Sequence, residues 1–310
     1  MKNKQILGTV LLMTTAVIWG TAFVAQRVGM DSIQPYSFTA ARMALAALAV
    51  GLVAVLLRRP GRREVGAPRE ESAARRKNTI LGGVCCGVFL TVASLFQQFG
   101  ILTTTAGKAG FITAMYILLV PVMDRLIFGK KHSLRVWAAV LIGVAGMYLL
   151  CVGDGMRITK GDALVCGCAI VFSCHILCVD SFVRRGDAIW MAVIQFACSA
   201  VLSGIGAWLF EKPSWDQFAA AAIPILYCGL LSGGVGYTLQ IVAQRFTDPT
   251  VASLLMSLES VFAVLAGALL LHERMSAREA LGCVVLFAAI ALVQLPARKK
   301  AGDASKEGGA

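Results

Sequence analysis

Ten apolar stretches follow one another along this chain, each about long enough to cross the hydrocarbon core of a bilayer. They run at about 6–27, 36–57, 79–101, 108–127, 134–152, 161–182, 188–209, 217–243, 249–271 and 277–295. A core about 30 Å thick takes roughly 20 apolar residues in a helix. No water reaches the backbone there, so each span must satisfy its own N–H and C=O groups, which a helix does. Composition agrees: of 310 residues, 58% are hydrophobic and only 15% are charged, where a soluble domain carries about 25% charged. Length alone would suggest two soluble domains, but the repeated spans override that expectation. The predicted fold is an all-α membrane protein with ten transmembrane helices. The first stretch follows Lys2 and Lys4. Its apolar run is longer than a signal core, with no small-x-small cleavage site after it, so it is read as a retained helix.

The loops set an orientation. If the N-terminus is cytoplasmic, the basic residues of loop 58–78, those between Arg125 and Arg135, Arg184, Arg185, Arg245 and the tail all lie inside. With Lys2 and Lys4 they number twenty-one, against seven outside, and Arg42 lies within a span. Basic residues gather on the cytoplasmic side, which predicts a multi-pass protein of the cytoplasmic membrane with both termini inside. The net charge of +12 is then a topology signal that also meets anionic headgroups, and no nucleic-acid partner is expected. All ten cysteines lie in or beside predicted spans. They are read as small apolar packers rather than a secreted disulfide framework.

The chain also reads as written twice. With an offset of 143, "TTAGKAGFITAMYILLVPVMDRLIFGKKHS" (104–133) aligns with "TDPTVASLLMSLESVFAVLAGALLLHERMS" (247–276), and Gln97 falls on Gln240. Earlier in the chain the offset is 153, pairing "AVIWG" (16–20) with "AIVFS" (169–173). The basic loop 58–78, which has only a short counterpart near 211–216, accounts for the difference. Five spans per half is an odd number, so the halves 1–152 and 153–297 are predicted to be inverted relative to each other, with 298–310 a polar tail. Inverted repeats are the architecture of many secondary transporters, with the substrate site near the midplane between them.

"AVIWGTAFVAQRVGMDSIQPYSFTAARMALAAL" resembles the first two helices of EamA-type members of the drug/metabolite transporter superfamily. The resemblance rests on Trp19, Gly20, Pro35 and Arg42. It extends through 104–121 and through 257–292, where Glu273 takes the place of the family's helix-end Glu. The second half departs from the pattern: Gln195 stands where Arg42 would be, Phe172 where Trp19 would be, and Ser260 where many relatives have Pro. The last departure predicts a ninth helix straighter than in those relatives. The resemblance implies a ten-helix permease that moves small polar or amphipathic metabolites, often outward, with no cofactor and no catalysis. Its partners would be a small-molecule substrate and membrane lipids, and its assembly a monomer or homodimer.

Several residues carry the expected chemistry. Glu259 is the one charged residue between Asp248 and His272, about 15–18 Å from either end of that stretch at 1.5 Å per residue. A charge at the bilayer centre costs about 2.5 kcal/mol or more. Glu259 is therefore read either as a proton-coupling carboxylate or partner of a cationic group, or as a neutral, hydrogen-bonded helix packer. The repeat sets Tyr116 opposite Glu259, as a donor to it or to a ligand, or as an ordinary packer. Gln97 and Gln240 are buried amides that need partners, a ligand or each other's helices. Arg42 would take a substrate's carboxylate or phosphate, or lock helices through a salt bridge or a carbonyl. Trp19 lines the cavity or anchors at the interface, and Lys108 is read as an interfacial anchor or a vestibule charge. Cys174, His175 and Cys178 share one helix, two of them spaced i, i+4, which suits soft metal ions, although no acidic or His-rich loop feeds such a site. This leaves a membrane-embedded metal-binding sensor or enzyme as an alternative. Asp248 with Pro249, and Ser276 with Glu279, read as helix starts. Gly83/Gly87 and Gly229/Gly233 have the spacing of close helix approach. No Walker loop, dinucleotide fingerprint or zinc-protease motif is present in a usable context.

Overall fold

A computed structural model describes residues 2–56, 69–104, 106–151, 159–270 and 276–294. Most of the basic loop 58–78, the helix-end Glu273 and the tail 298–310 lie outside these residues. So do the side chains of Lys108 and Glu279.

The described chain is helical throughout, with no strand among the described residues. Eight helices are long and apolar enough to span a membrane, and two shorter apolar helices, Leu134–Gly146 and Ala280–Leu292, stand where the fifth and tenth spans are expected. The first, second, third and fifth spans are Lys2–Gly29, Pro35–Leu56, Arg69–Ile101 and Leu134–Cys151. The sixth, seventh and tenth are Lys160–Val183, Ala188–Phe210 and Ala277–Gln294. The third begins inside the basic loop, ten residues before its apolar stretch. The ladder of an amphipathic helix can continue beyond the hydrocarbon into water, so hydropathy alone places this start too late.

Caps mark the starts. Thr159 and Asp162 form a reciprocal capping box before the sixth span. The Asp187 carboxylate accepts the backbone N–H groups of Ile189 and Trp190, each at 3.1 Å, at the start of the seventh. Asp248 accepts from the Thr250 N–H at 2.9 Å, with Pro249 at the first helical position. The second span is capped from a distance. The Glu211 carboxylate takes the backbone N–H of Tyr36 at 2.9 Å and of Ser37 at 2.7 Å. An anion there also meets the positive end of the helix dipole.

Three spans are not continuous α-helix. The fourth is Ala106–Ala114 followed by Tyr116–Phe128, broken at Met115. Pro121, one turn later, has no N–H for the Ile117 carbonyl. The ninth is Pro249–Met256 followed by Glu259–Leu270, broken at Ser257 and Leu258. The ninth helix, expected to be straighter than in relatives with Pro at position 260, is itself interrupted here. Ser253 and Ser257 each donate their hydroxyl to the carbonyl three residues back, at 2.8 Å, a competing bond that bends helices. The eighth span, expected at 217–243, is a short separate helix Trp215–Ala220 followed by Ala222–Gln244, of which Tyr227–Tyr237 is π-helical. Such wide turns are rare and often mark functional sites.

Small residues let the halves touch. A methyl carbon added to Gly83 or Gly87 would lie 2.6 Å from the Cβ of Ile194 or Cys198, so the third and seventh spans meet backbone to side chain. Gly229 and Gly233 press in the same way on Leu45 and Ala46 of the second span. Leu48, Leu56, Trp208 and Ile223 are more than 70% exposed. Large apolar side chains on such helices are what lipid would cover.

At the end of the bundle that carries Arg184 and Arg185, charged groups tie the spans together. Asp124, fully buried, lies 3.3 Å from Lys130 Nζ and 3.2 Å from His132 Nε2. Lys130 also reaches Asp180 of the sixth span at 3.4 Å. Burial works against the Lys130 charge, but Asp180 and Asp124 outweigh it and hold the ammonium above its ordinary range.

Candidate functional site

Both breaks, in the fourth and ninth spans, fall just before a residue singled out by the repeat. Tyr116 is the first residue of its half-helix and Glu259 the first of its own. The Tyr116 hydroxyl donates to Glu259 Oε1 at 3.0 Å. Tyr116 is fully buried and Glu259 is 2% exposed. The offset of 143 thus joins two side chains across the middle of the bundle. A half-helix N-terminus carries partial positive charge, which favours a carboxylate at that position.

Glu259 lines a cavity of about 20 Å³ together with Trp19, Phe23, Gln26, Arg42, Gln97, Thr113, Phe172, Ser232 and Tyr237. A water needs about 10–15 Å³ of such room, so in this conformation the site offers little more than water-sized space. A metabolite enters only if helices part.

The walls are built by the first span and the irregular eighth. Trp19 Nε1 donates to the Ser232 carbonyl at 3.2 Å, and the Thr15 hydroxyl to the Gly236 carbonyl at 3.2 Å. Both acceptors lie in the π-helical stretch. Gly236 is needed there: a methyl carbon in its place would lie 2.6 Å from Trp19 Nε1. Trp19 and Tyr237 then pack with ring centroids 4.6 Å apart, and Phe172 meets Trp19 edge-on at 5.7 Å. The aromatic residues form one side of the cavity.

Arg42 forms the polar side. It is 3% exposed, and its Nη1 donates to Gln26 Oε1 at 3.2 Å. Its guanidinium also lies 5.7 Å from the Phe38 ring centre. Its Nε has no hydrogen-bond partner, and no carboxylate within 4 Å pairs with it among the described residues. Of the two helix-locking contacts expected for Arg42, a salt bridge or a carbonyl, the described residues show the second, through the Gln26 side-chain carbonyl. A buried cation without an anion is costly, and here it borders the cavity.

Gln97 also reaches the cavity and donates to Thr113 Oγ1 at 3.2 Å. Its repeat partner does not. Gln240 is fully buried elsewhere, donating to Gln244 Oε1 at 3.2 Å. The two glutamines, both expected to meet a ligand or a neighbouring helix, are thus apart: one borders the cavity and the other bonds within its own helix. Cys174, His175 and Cys178 do not converge either. His175 Nε2 is 3.0 Å from Gln195 Oε1, while Cys178 Sγ lies 3.5 Å from Cys86 Sγ. Sequence reasoning missed Phe23 and Gln26, although they follow Trp19 at i+4 and i+7 on one helix face. It also missed Tyr237, Ser232 and Thr113, for which the sequence gives no local signal.

Eight long and two shorter apolar helices among the described residues, with broken central helices and a buried cavity bordered by Arg42 and Glu259, suit a membrane transporter. The EamA-like transporter family matches this chain twice, over residues 6–152 and 159–295. The chain belongs to that family. It is 25% identical over 292 residues to an uncharacterized transporter of Archaeoglobus fulgidus, covering 94% of this chain and 87% of the relative. It is 22% identical to a probable terminal-alkyne amino-acid exporter of Streptantibioticus cattleyicolor, over 73% and 72% of the two chains. A solved crystal structure shares the fold with a TM-score of 0.74 at 19% identity, over 93% of this chain and 96% of its own.

Proposed function

We propose that this transporter is a secondary active exporter of small polar or amphipathic metabolites in the cytoplasmic membrane, with both termini inside. On this reading it is two inverted five-helix repeats, 1–152 and 153–297, and Glu259 carries the coupling proton. Arg42, Trp19 and Gln97 hold the substrate, and Tyr116 positions Glu259. The observation that carries the reading is one cavity bordered by both a buried carboxylate and a buried, anion-free guanidinium. In each cycle Glu259 would take a proton from one face and release it to the other, its ionised form held by Tyr116.

The test uses purified protein in liposomes that hold a pH-sensitive dye. A library of small metabolites is screened for substrate-driven proton flux, wild type beside Glu259→Gln. Flux in wild type that vanishes in the variant supports coupling through Glu259. Full transport by the variant with unchanged pH dependence refutes it.

A second reading, a facilitative or uptake carrier for amino acids, draws on the opposite charges of Arg42 and Glu259 in one cavity and on the name of the Streptantibioticus relative. There Glu259 binds the substrate's ammonium group, and labelled-substrate counterflow proceeds without proton movement.

A further inference from the structure

A second group of buried polar side chains lies behind the aromatic wall of the cavity, and no part of the proposed cycle uses it. His175 of the sixth span, Gln195 of the seventh and Gln240 of the eighth are each fully buried. His175 Nε2 meets Gln195 Oε1, which leaves His175 Nδ1 and Gln195 Nε2 without partners. Gln240 donates to Gln244, which donates in turn to the Ile176 carbonyl at 3.1 Å, and Gln240 Oε1 is left over. Each buried polar atom without a partner costs about 1–3 kcal/mol. Three such atoms, on the His175–Gln195 pair and on a glutamine chain that ends at the Ile176 carbonyl next to His175, call for a state in which they are satisfied.

The repeat indicates which state. The offset of 153 that takes Trp19 to Phe172 also takes Arg42 to Gln195. The offset of 143 takes Gln97 to Gln240. The second group is thus the repeat image of the cavity's polar side. It also lies in the other half of the bundle. Arg42 is seven residues from the Pro35 end of its helix, and that end is tied by Glu211 to the far end of the seventh span. His175 is eight residues from Val183, at the opposite end. Between the two groups stand Phe172 and Tyr237, which border the cavity and lie 5.4 Å and 6.0 Å from the His175 ring centre.

We infer that His175, Gln195 and Gln240 form a second substrate station, which becomes accessible from the face carrying Arg184 and Arg185 when the Phe172–Tyr237 wall moves. This rests on the reading of the protein as an alternating carrier, though not on proton coupling. The station has no fixed charge. It offers two acceptors, His175 Nδ1 and Gln240 Oε1, beside one amide donor, and so suits a group rich in N–H or O–H donors, such as an amine or amide. Arg42 offers the complementary recognition of an anionic group in the other half. A substrate with both ends would pass from one kind of contact to the other as it crosses.

The test needs no known substrate. Gln195→Cys and Gln240→Cys are made separately, with Thr113→Cys as a marker of the described cavity. Full-length protein in sealed vesicles of either orientation is treated with a membrane-impermeant maleimide. Modification is assigned to single residues from fragment mass spectra, which separates positions 195 and 240 from the native Cys198 and Cys228. The expected result is that the thiols at 195 and 240 react from the Arg184 face at least tenfold faster than from the other, with the reverse preference at 113. Two substitutions on different helices guard against one that fails to fold, and a melting curve verifies each. Folded variants that stay unreactive from both faces, or react from the same face as position 113, overturn the station. The proton-flux comparison of Glu259→Gln is independent, so loss of coupling and loss of the station are told apart.

Discussion

Gly20 is a position where one added carbon should do harm close to the site. A methyl group there would lie 2.5 Å from Phe262 Cβ, 2.7 Å from the Glu259 carbonyl oxygen and 2.8 Å from Ala263 N. Ordinary carbon contacts are about 3.5–4.0 Å, so the first span would have to retreat by roughly 1 Å. Two of the three clashing atoms are backbone, and no rotamer change relieves them. Overpacking of this kind costs about 1–3 kcal/mol. Alanine is favoured over glycine inside a helix by about 1 kcal/mol, so the net loss is up to about 2 kcal/mol. At about 2–4 °C per kcal/mol, Gly20→Ala should melt several degrees below wild type. It should also transport poorly, because the displaced atoms begin the half-helix that holds Glu259. Gly204→Ala is the control. Nothing lies within 4 Å of a methyl group there, and the variant should melt at or above wild type. Both are measured by thermal unfolding of purified protein in one detergent. A Gly20→Ala protein that melts at or above wild type would refute the contact argument.

Other outcomes follow from the same geometry. Tyr116→Phe keeps the ring against Phe172, at 5.9 Å between centroids, and removes the donor to Glu259. It should cost about 1–3 kcal/mol and lower transport, both checked on reconstituted protein. Arg42→Met removes a buried cation that has no carboxylate partner and keeps its length. Its melting temperature should hold or rise, while flux of anionic or zwitterionic substrates is lost. A large fall in stability would instead mark Arg42 as structural. Lys130→Met leaves the buried Asp124 with His132 alone. After allowance for solvent around the half-exposed lysine, it should cost about 1–2 kcal/mol, measured by the same unfolding assay.

Much of the fold was legible because lipid permits so few backbone solutions. Nearly every predicted span lies within a few residues of the observed one. The breaks were less legible. Ser253 and Ser257 carry ordinary hydroxyls, and only their bonds to Thr250 and Leu254 reveal the bend. The π-helical stretch was hidden in the same way: its glycines were read as close-packing residues, which they are, but a wide turn has no composition of its own.

The site divides along a similar line. Glu259, Arg42, Gln97 and Trp19 could be found because polar or amphipathic groups are conspicuous among apolar residues, and the first three carry a solvation cost that something must offset. Tyr116 could be paired with Glu259 because a repeat offset turns distance in sequence into proximity. Phe172 was likewise set opposite Trp19 by the offset of 153, whereas Tyr237 offered no such signal, since an aromatic residue costs nothing in a core. Yet these two separate the cavity from His175 and Gln195. The polar groups indicate where a substrate could rest, and the aromatic groups indicate what must move between one resting place and the next. A carrier needs both. Only the polar groups are written plainly in the sequence, because only they must be explained against the lipid.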